Sequence, residues 1–495
     1  MRSTFGGIEI GKRGLMTQQR ALDVTGHNVA NANNKNYSRQ RVIQSATPPY
    51  TMPSITNGSE AGQVGTGVYV RQIMRMRDLF IDQRLRYENH ALGEWSIKKD
   101  NLIELEAIFN ELGSGGLTAS LNKFWDSFAD LGNSEGELAY RQAVINNALA
   151  LTDQLHYIDQ TMVELRDNLG SEIEGKLAKV NDLTQQIADL NKLISTIESD
   201  VSKQANDLKD ERDALLDQLT KIVDVSISFD DRSRANISLN GIGLVQGDMA
   251  HQIRIEMDSQ TRTVEVDVND DLTYDPISGD QEYTYIFDQY SFKVGNNSVE
   301  INSGEIRGLL DVRDEIIDLK VNRFDQIVRT IKNEANNLHK SGYDKNGNTG
   351  IDFFIYDSSG NYEAGNLLVN PALVADPNMI AASTSPDPDD VSNVENALAI
   401  SRLRTKAETI SSTTFEDFWL TQAGKLGLEI ESAERMEVNQ EVMVWQLSLK
   451  RQEVSGVSMD EEFSEMIKFQ QGYNAAAKVL AKMDQMLDTL INGII

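Results

Sequence analysis

Read every seventh residue from Met466 and apolar side chains recur at Tyr473, Leu480, Leu487 and Ile494. Three positions after the first four stand Phe469, Ala476, Met483 and Leu490. This 3-4 alternation is the seam of a coiled coil. The positions between are mostly polar, among them Lys468, Gln470, Asn474, Lys482 and Asp488, and no proline interrupts the run. One amphipathic helix cannot bury its own stripe, so the pattern predicts a partner helix. A weaker version stands at the other end of the chain. Ile8, Leu15, Leu22 and Val29 are spaced by sevens, with Met16, Ala21 and Ala30 beside them. Gly11, Gly14 and Gly26 lower helix propensity there by roughly 1 kcal/mol each relative to alanine. That helix should fray alone, and the C-terminal helix is the candidate partner.

Between the two ends the period changes several times. An Asn-rich turn follows Val29, and the Pro/Gly/Ser-rich stretch 46–68 reads as an extended loop, with a short strand over Val68–Arg71. Helical patterns cover Arg77–Leu112, Leu121–Leu131 and Glu137–Asn168, and heptads return after Gly170 from Val180 to Val201. A further helix covers Asp207–Val225. From Val225 the period becomes two: Val225, Ile227 and Phe229; Ile237 and Leu239; Ile253 and Ile255; Val264, Val266 and Val268; Tyr283, Tyr285 and Phe287; Tyr290, Phe292 and Val294. Turn residues such as Asn240-Gly241, Asp275-Pro276 and Gly295-Asn296 separate these runs, which predicts a β module of about six strands. Sevens resume at Leu310, Ile317, Phe324, Ile331 and Leu338. A turn-rich stretch from Tyr343 precedes a last long helix over Phe415–Arg451.

The fold class expected is mainly α with an inserted β module: long coiled-coil-like helices from both termini packed together, a helical-bundle middle and a small antiparallel β domain. The division predicted is 1–45 for the N-terminal core helix and Asn-rich motif, 46–225 for the first part of a helical rod domain, and 226–302 for the β module. Residues 303–342 return to the rod domain, 343–412 form a small turn-rich insert, 413–454 a return helix and 455–495 the C-terminal core helix.

Composition narrows the function classes. At 495 residues and 40% hydrophobic content the chain can form packed cores. Its 76 acidic and 47 basic residues give a net charge of −29, which repels nucleic acid and anionic membranes, and no basic block offsets it locally. There is no cysteine, hence no disulfide, thiolate chemistry or Cys-based zinc site. The opening MRSTFGGIEIGKRGL has no apolar core of signal-peptide length, and no apolar run is long enough to span a bilayer.

Catalytic motifs are wanting. His27, His90, His156, His251 and His339 are far apart and share no metal-ligand spacing. Neither a nucleophile elbow nor a phosphate-binding loop is present. Asp344-Lys-Asn-Gly-Asn-Thr-Gly350 lacks the glycine and glutamate a calcium loop requires and reads as a turn. No catalytic residue, cofactor or metal is assigned.

The segment Asp23-Val-Thr-Gly-His-Asn-Val-Ala-Asn-Ala-Asn-Asn-Lys-Asn-Tyr-Ser-Arg-Gln40 resembles the N-terminal signature of bacterial flagellar axial proteins. Its Tyr37-Ser-Arg-Gln40 ending looks most like the hook-associated FlgK family of hook–filament junction proteins. Ser455-Gly-Val-Ser-Met-Asp-Glu-Glu-Phe463 with Phe469-Gln-Gln-Gly-Tyr473 resembles the family's C-terminal block. Asp207-Leu-Lys-Asp-Glu-Arg-Asp213, Leu244-Val-Gln-Gly247 and Leu338-His-Lys-Ser-Gly-Tyr-Asp-Lys-Asn-Gly347 resemble its middle. Where the family often has Gly before the motif Tyr, this chain has Asn36, which tolerates a left-handed backbone. The segment between Phe354 and Val391 is short for the family's outer domain.

The resemblance implies a structural, non-enzymatic subunit, exported unfolded by the flagellar type III apparatus and assembled through its terminal helices. Implied partners are the hook protein, the second junction protein (hook-associated protein 3), copies of itself in a ring or helical assembly, and a cytoplasmic export chaperone on the C-terminal helix. No nucleic acid or membrane insertion is implied. The location is the flagellum, extracellular or periplasmic. The residues expected to carry assembly are Ile8, Leu15, Leu22 and Val29; Asn28, Asn31, Tyr37 and Arg39; and Met466, Phe469, Tyr473, Leu480, Met483, Leu487 and Leu490. Two other readings stay open: a hook or distal-rod subunit, and a cytoplasmic helical scaffold.

Overall fold

The computed structural model describes residues 6–48, 65–109, 116–134, 137–200, 203–266, 281–357, 364–390, 392–407 and 413–492, and the backbone alone at 258–266, 281–288 and 490. Expectations at Val201, Val268, Asp275-Pro276, Ile494 and most of the 46–68 loop lie outside the described residues. So do those on the side chains of Val264, Val266, Tyr283, Tyr285, Phe287 and Leu490.

The chain opens with α1 (Gly6–Ala30), whose first turns are braced by an ion pair from Arg13 to Glu9 at 2.9 Å. The Asn31 side chain donates to the last-turn carbonyl of His27, closing the helix. Two strands follow, β1 (Gln40–Ala46) and β2 (Val68–Arg75), paired antiparallel with Gln40 opposite Arg75. The sequence pattern predicts only the start of β2 and assigns no strand between the Asn-rich turn and the 46–68 loop, where β1 lies. Pairing across an intervening loop is a non-local event that short-range alternation does not report. Asn36 is likewise not left-handed: among the described non-glycine residues only Ser233 and Asn240 have positive φ.

The body is built on α2 (Leu79–Phe109), α3 (Leu117–Asn133), α4 (Leu138–Ile197) and α5 (Asn206–Ile222). The break expected at Gly170 does not exist, since α4 runs unbroken for 60 residues. Gly170 serves contact instead: a Cβ there would lie 2.6 Å from the Tyr290 hydroxyl.

The β module holds two antiparallel sheets. The first orders β3 (Ser226–Phe229), β4 (Ala235–Leu239), β5 (Ile242–Gln246) and β6 (Met249–Ala250). The second orders β7 (Ile253–Val266), β8 (Gln281–Val294) and β9 (Asn297–Val299). The two tyrosine-rich runs read separately from the sequence are one strand, β8.

Helix returns in α6 (Glu305–Asp318) and α7 (Asp325–Ser341), separated by a π-helical stretch, Leu319–Phe324. That widened turn carries the buried Lys320 to Asp159 of α4. Next come β10 (Phe354–Tyr356), β11 (Leu367–Val369), α8 (Pro371–Ala375) and α9 (Glu395–Ser401). The chain closes with α10 (Phe415–Ser455), capped by the Thr414 side chain, and α11 (Met459–Asn492).

One core joins these parts. Phe124 of α3 meets Phe353 and Phe354, Phe128 meets Phe353, and Trp125 stacks on Phe415, while Phe109 of α2 stacks on Trp419 of α10 at 4.6 Å. Apolar area removed from water at about 25 cal/mol per Å² drives this packing.

Candidate assembly site: the terminal helix pair and its joint

α1 and α11 lie side by side and antiparallel. A Cβ at Gly7 would meet Met483 at 2.8 Å, one at Gly11 would meet Leu480 at 3.5 Å, and one at Gly14 would meet Ala476 at 3.6 Å. Further along, Gly472 faces Gln18. Gly11 and Gly14, read in the sequence only as losses of helix propensity, therefore line the contact, where they let two backbones approach, whereas Gly26 faces open space.

The heptad residues of α1 sit beside this line. Ile8, Leu15, Leu22 and Val29 are half-buried, whereas the buried set is Gly11, Thr17, Ala21, Val24, Thr25 and Asn28. Thr17 donates to the Val68 carbonyl, so a second face of α1 is held by β2. On α11, Met466, Phe469, Tyr473, Leu480, Met483 and Leu487 are all half-buried. Leu490 lies in the same helix. Ile467, Val479 and Met486 are exposed on α11. One partner helix leaves much of its apolar surface uncovered.

The Asn-rich motif forms a hub at the other end of the pair. Asn28 is buried and makes four hydrogen bonds. Its amide nitrogen donates to the Gln40 carbonyl and to Glu462 Oε2, both at 2.9 Å, and its oxygen accepts from the Tyr37 hydroxyl at 2.7 Å and the Gln40 N–H at 3.0 Å. Burial, reinforced by Asp207, Asp210 and Glu462, pushes the Tyr37 hydroxyl far above its ordinary pKa and keeps it a donor. Arg39 reaches Glu462 at 2.6 Å and Glu461 at 2.5 Å, and its backbone N–H donates to the Ser455 carbonyl at 2.8 Å. Burial opposes the Arg39 cation, but the two carboxylates outweigh it and raise its pKa. The hub thus brings together Asn28, Tyr37 and Arg39. Asn31 stays at the exposed end of α1.

Below the hub, α5 presents Asp210, Asp213 and Asp217 at helical spacing to four arginines. Arg75 of β2 pairs with Asp210 at 2.7 Å and Asp213 at 2.8 Å; Arg77 pairs with Asp82 at 2.7 Å and Asp213 at 3.2 Å. Arg86 of α2 reaches Asp217 at 2.8 Å, and Arg451 of α10 reaches it at 2.6 Å. Burial alone would raise the Asp213 pKa, yet Arg77, Arg75 and Arg86 hold it at about 2. Asp210 also accepts from the Ser38 N–H and hydroxyl. Hairpin, α2, α5 and α10 are locked together here, and the terminal pair is set on the body through this joint.

Sequence reasoning missed Glu462, Gln40, Ser38, Arg75, Arg77 and the aspartates as a unit. A signal existed: Asp210 and Asp213 fall in phase with the buried Leu216 and Leu219 on α5, which is unusual for solvated carboxylates. Their partners could not be read, because they lie more than a hundred residues away.

No group of three His, Asp or Glu residues placed to hold a metal occurs among the described residues. No described helix is long and apolar enough to cross a membrane. His339 is fixed as a neutral ring, with Nδ1 donating to the Ile351 carbonyl at 2.7 Å and Nε2 accepting from the Ala381 N–H at 3.0 Å.

Comparison with known proteins gives one consistent result. Residues 102–354 match the flagellar hook-associated protein FlgK helical domain. Residues 8–37 match the flagella basal body rod protein family, and 450–493 match the flagellar basal body rod FlgEFG C-terminal family. Flagellar hook-associated protein 1 of Bacillus subtilis is 31% identical, over 100% of this chain and 99% of its own length. Its Salmonella typhimurium counterpart is 25% identical over 97% of this chain and 98% of its own. The structure of the flagellar hook junction protein FlgK from Burkholderia pseudomallei superposes with a TM-score of 0.59 at 14% identity. That match covers 76% of this chain and 100% of the other, and shows a shared fold. With the helical domain matched over half the chain and a full-length relative alongside it, this chain belongs to the flagellar hook-associated protein 1 (FlgK) family, a family of structural proteins of the bacterial flagellum.

Proposed function

We propose that this chain is the first junction subunit between hook and filament, and that the α1–α11 pair is the element by which it assembles. The observation that carries this reading is the half-covered seam of α11: six apolar residues are half-buried, Leu480 and Met483 among them against glycines of α1, while Ile467, Val479 and Met486 are exposed. Such a surface needs further neighbours. In this reading Ile8, Leu15, Leu22 and Val29 and the outward side of α11 meet the hook protein below, hook-associated protein 3 above, and copies of this chain alongside. The hub of Asn28, Tyr37 and Arg39 sets the angle of the pair on the body. Before assembly an export chaperone masks the α11 stripe, and the chain leaves the cytoplasm unfolded through the type III apparatus. The assembled location is outside the cell, or periplasmic in a host with internal flagella.

The test is a clean deletion of the gene, examined by electron microscopy with the medium assayed for flagellin. Hooks without filaments, with flagellin shed into the medium, support the junction role. Loss of the hooks themselves moves the chain into the rod or hook, and intact filaments overturn the reading.

A further inference from the structure

The acidity of this chain is uneven. Its first 77 residues hold ten Lys and Arg against three Asp and Glu, although the whole carries −29. The absence of a basic block holds for contiguous runs only, because folding gathers part of this charge onto one surface. On the β1–β2 hairpin, Arg41, Tyr69, Arg71 and Met74 are exposed, and the register sets Arg41 directly opposite Met74. Neither Arg41 nor Arg71 forms an ion pair with any described residue. Arginine, tyrosine and methionine exposed together are the composition of an interface rather than of ordinary surface.

A complementary face lies on α10. Val438, Val442, Trp445 and Leu449 recur at helical spacing and are 50%, 46%, 61% and 41% exposed. They face away from the body, since the opposite side of α10 buries Trp419, Leu426 and Ala433 and pairs Glu437 with Lys99 of α2. Glu434 and Glu441 flank the stripe, both exposed, and neither is in an ion pair with a described residue. A Trp exposed among aliphatic side chains has the composition of a binding hot spot.

We propose that the hairpin face of one copy docks on the α10 stripe of the next, with Arg41 and Arg71 opposite Glu434 and Glu441, and Tyr69 and Met74 against Val442 and Trp445. The occupant is a second copy because both faces, opposite in charge and alike in apolar content, belong to this one chain. Every pair of neighbours then presents one of each. Two different faces make a heterologous contact, which repeats as a ring or a helix and not as a two-fold dimer. This deepens the junction reading and rests on it.

The natural chain has no cysteine, so an engineered pair reports cleanly. A variant carrying Arg71→Cys and Glu441→Cys replaces the native copy in its host, hook ends are oxidised, and the chain is followed by immunoblot. The expected result is a ladder of dimers, trimers and higher species from the double variant, and only monomer from each single one. Dimers from Arg71→Cys alone would mean a two-fold contact and overturn the proposal. Cross-links to a different polypeptide, or monomer throughout, would also overturn it. The junction reading is judged separately, by the filament phenotype of the deletion strain. A charge exchange supplies the second measurement. Arg71→Glu and Glu441→Lys, checked for native helix content, should each reduce incorporation roughly tenfold and together restore it; unimpaired incorporation of either single variant contradicts the docking.

Discussion

Asn28 and Glu462 are 434 residues apart in the chain and 2.9 Å apart in the fold. Through this bond the end of α1 is fixed to the first turn of α11, and Tyr37, Gln40 and Arg39 converge on the same two side chains. Acidic residues at the start of α11 suit the positive end of its helix dipole. Burying Glu462 to 2% exposure also requires the donors that Asn28 and Arg39 supply.

Replacing Asn28 with Leu removes four hydrogen bonds and leaves a buried carboxylate with one partner fewer. The expected cost is about 2–4 kcal/mol, localised to the hub. Amide exchange of Gln40 and of the first turns of α11 should rise roughly thirtyfold or more, while α4 keeps its protection. Equal protection in both proteins would show that the hub does not hold the pair.

At Gly11 two substitutions separate propensity from packing. A Cβ fits, at 3.5 Å from Leu480, so Gly11→Ala should stabilise α1 by up to about 1 kcal/mol. Gly11→Leu forces side-chain atoms into the Leu480 backbone and should open the pair, by about 1–3 kcal/mol. Thermal melts followed on α1 amides check both signs.

Gly170 gives a third case. Gly170→Ala improves helix propensity but meets the Tyr290 hydroxyl at 2.6 Å, so it should destabilise the contact between α4 and β8. Adding Tyr290→Phe removes the obstructing oxygen and should recover most of the loss. A double-mutant cycle without coupling would contradict this assignment.

His339 predicts a pH dependence. Burial, opposed by its bond to Ile351, lowers its pKa to about 4 from an ordinary 6.5. The folded chain therefore binds fewer protons than the unfolded one between these values. The contribution is complete above pH 6.5 and is lost as pH falls toward 4, by about 3 kcal/mol in all. His339→Gln should lower stability at pH 8 and flatten the slope from pH 6.5 to 4, as read from unfolding midpoints.

Much of the fold was legible because its long helices repeat a strong period. The seam from Met466 to Leu487, the α4 heptads and the two-residue alternation after Val225 each report local geometry. What escaped was non-local. The β1 strand exists through its pairing with β2, and the hub and joint exist through contacts between segments hundreds of residues apart. Gly11 and Gly170 show a further limit: in isolation they read as weak points or breaks, and only their neighbours Leu480 and Tyr290 show them to be places of close approach. The π-helical turn at Leu319–Phe324 left no mark on a run of sevens that continues through it.

The central claim is that the terminal pair assembles the chain, and Leu480→Asp tests it most directly. Leu480 rests on Gly11 toward the end of the pair away from the hub and lies outside the body's core cluster. The variant should fold normally from α2 to α10, be absent from hook tips, and leave hooks bare of filament under the electron microscope. Normal filaments growing from hooks that contain the variant would contradict the account.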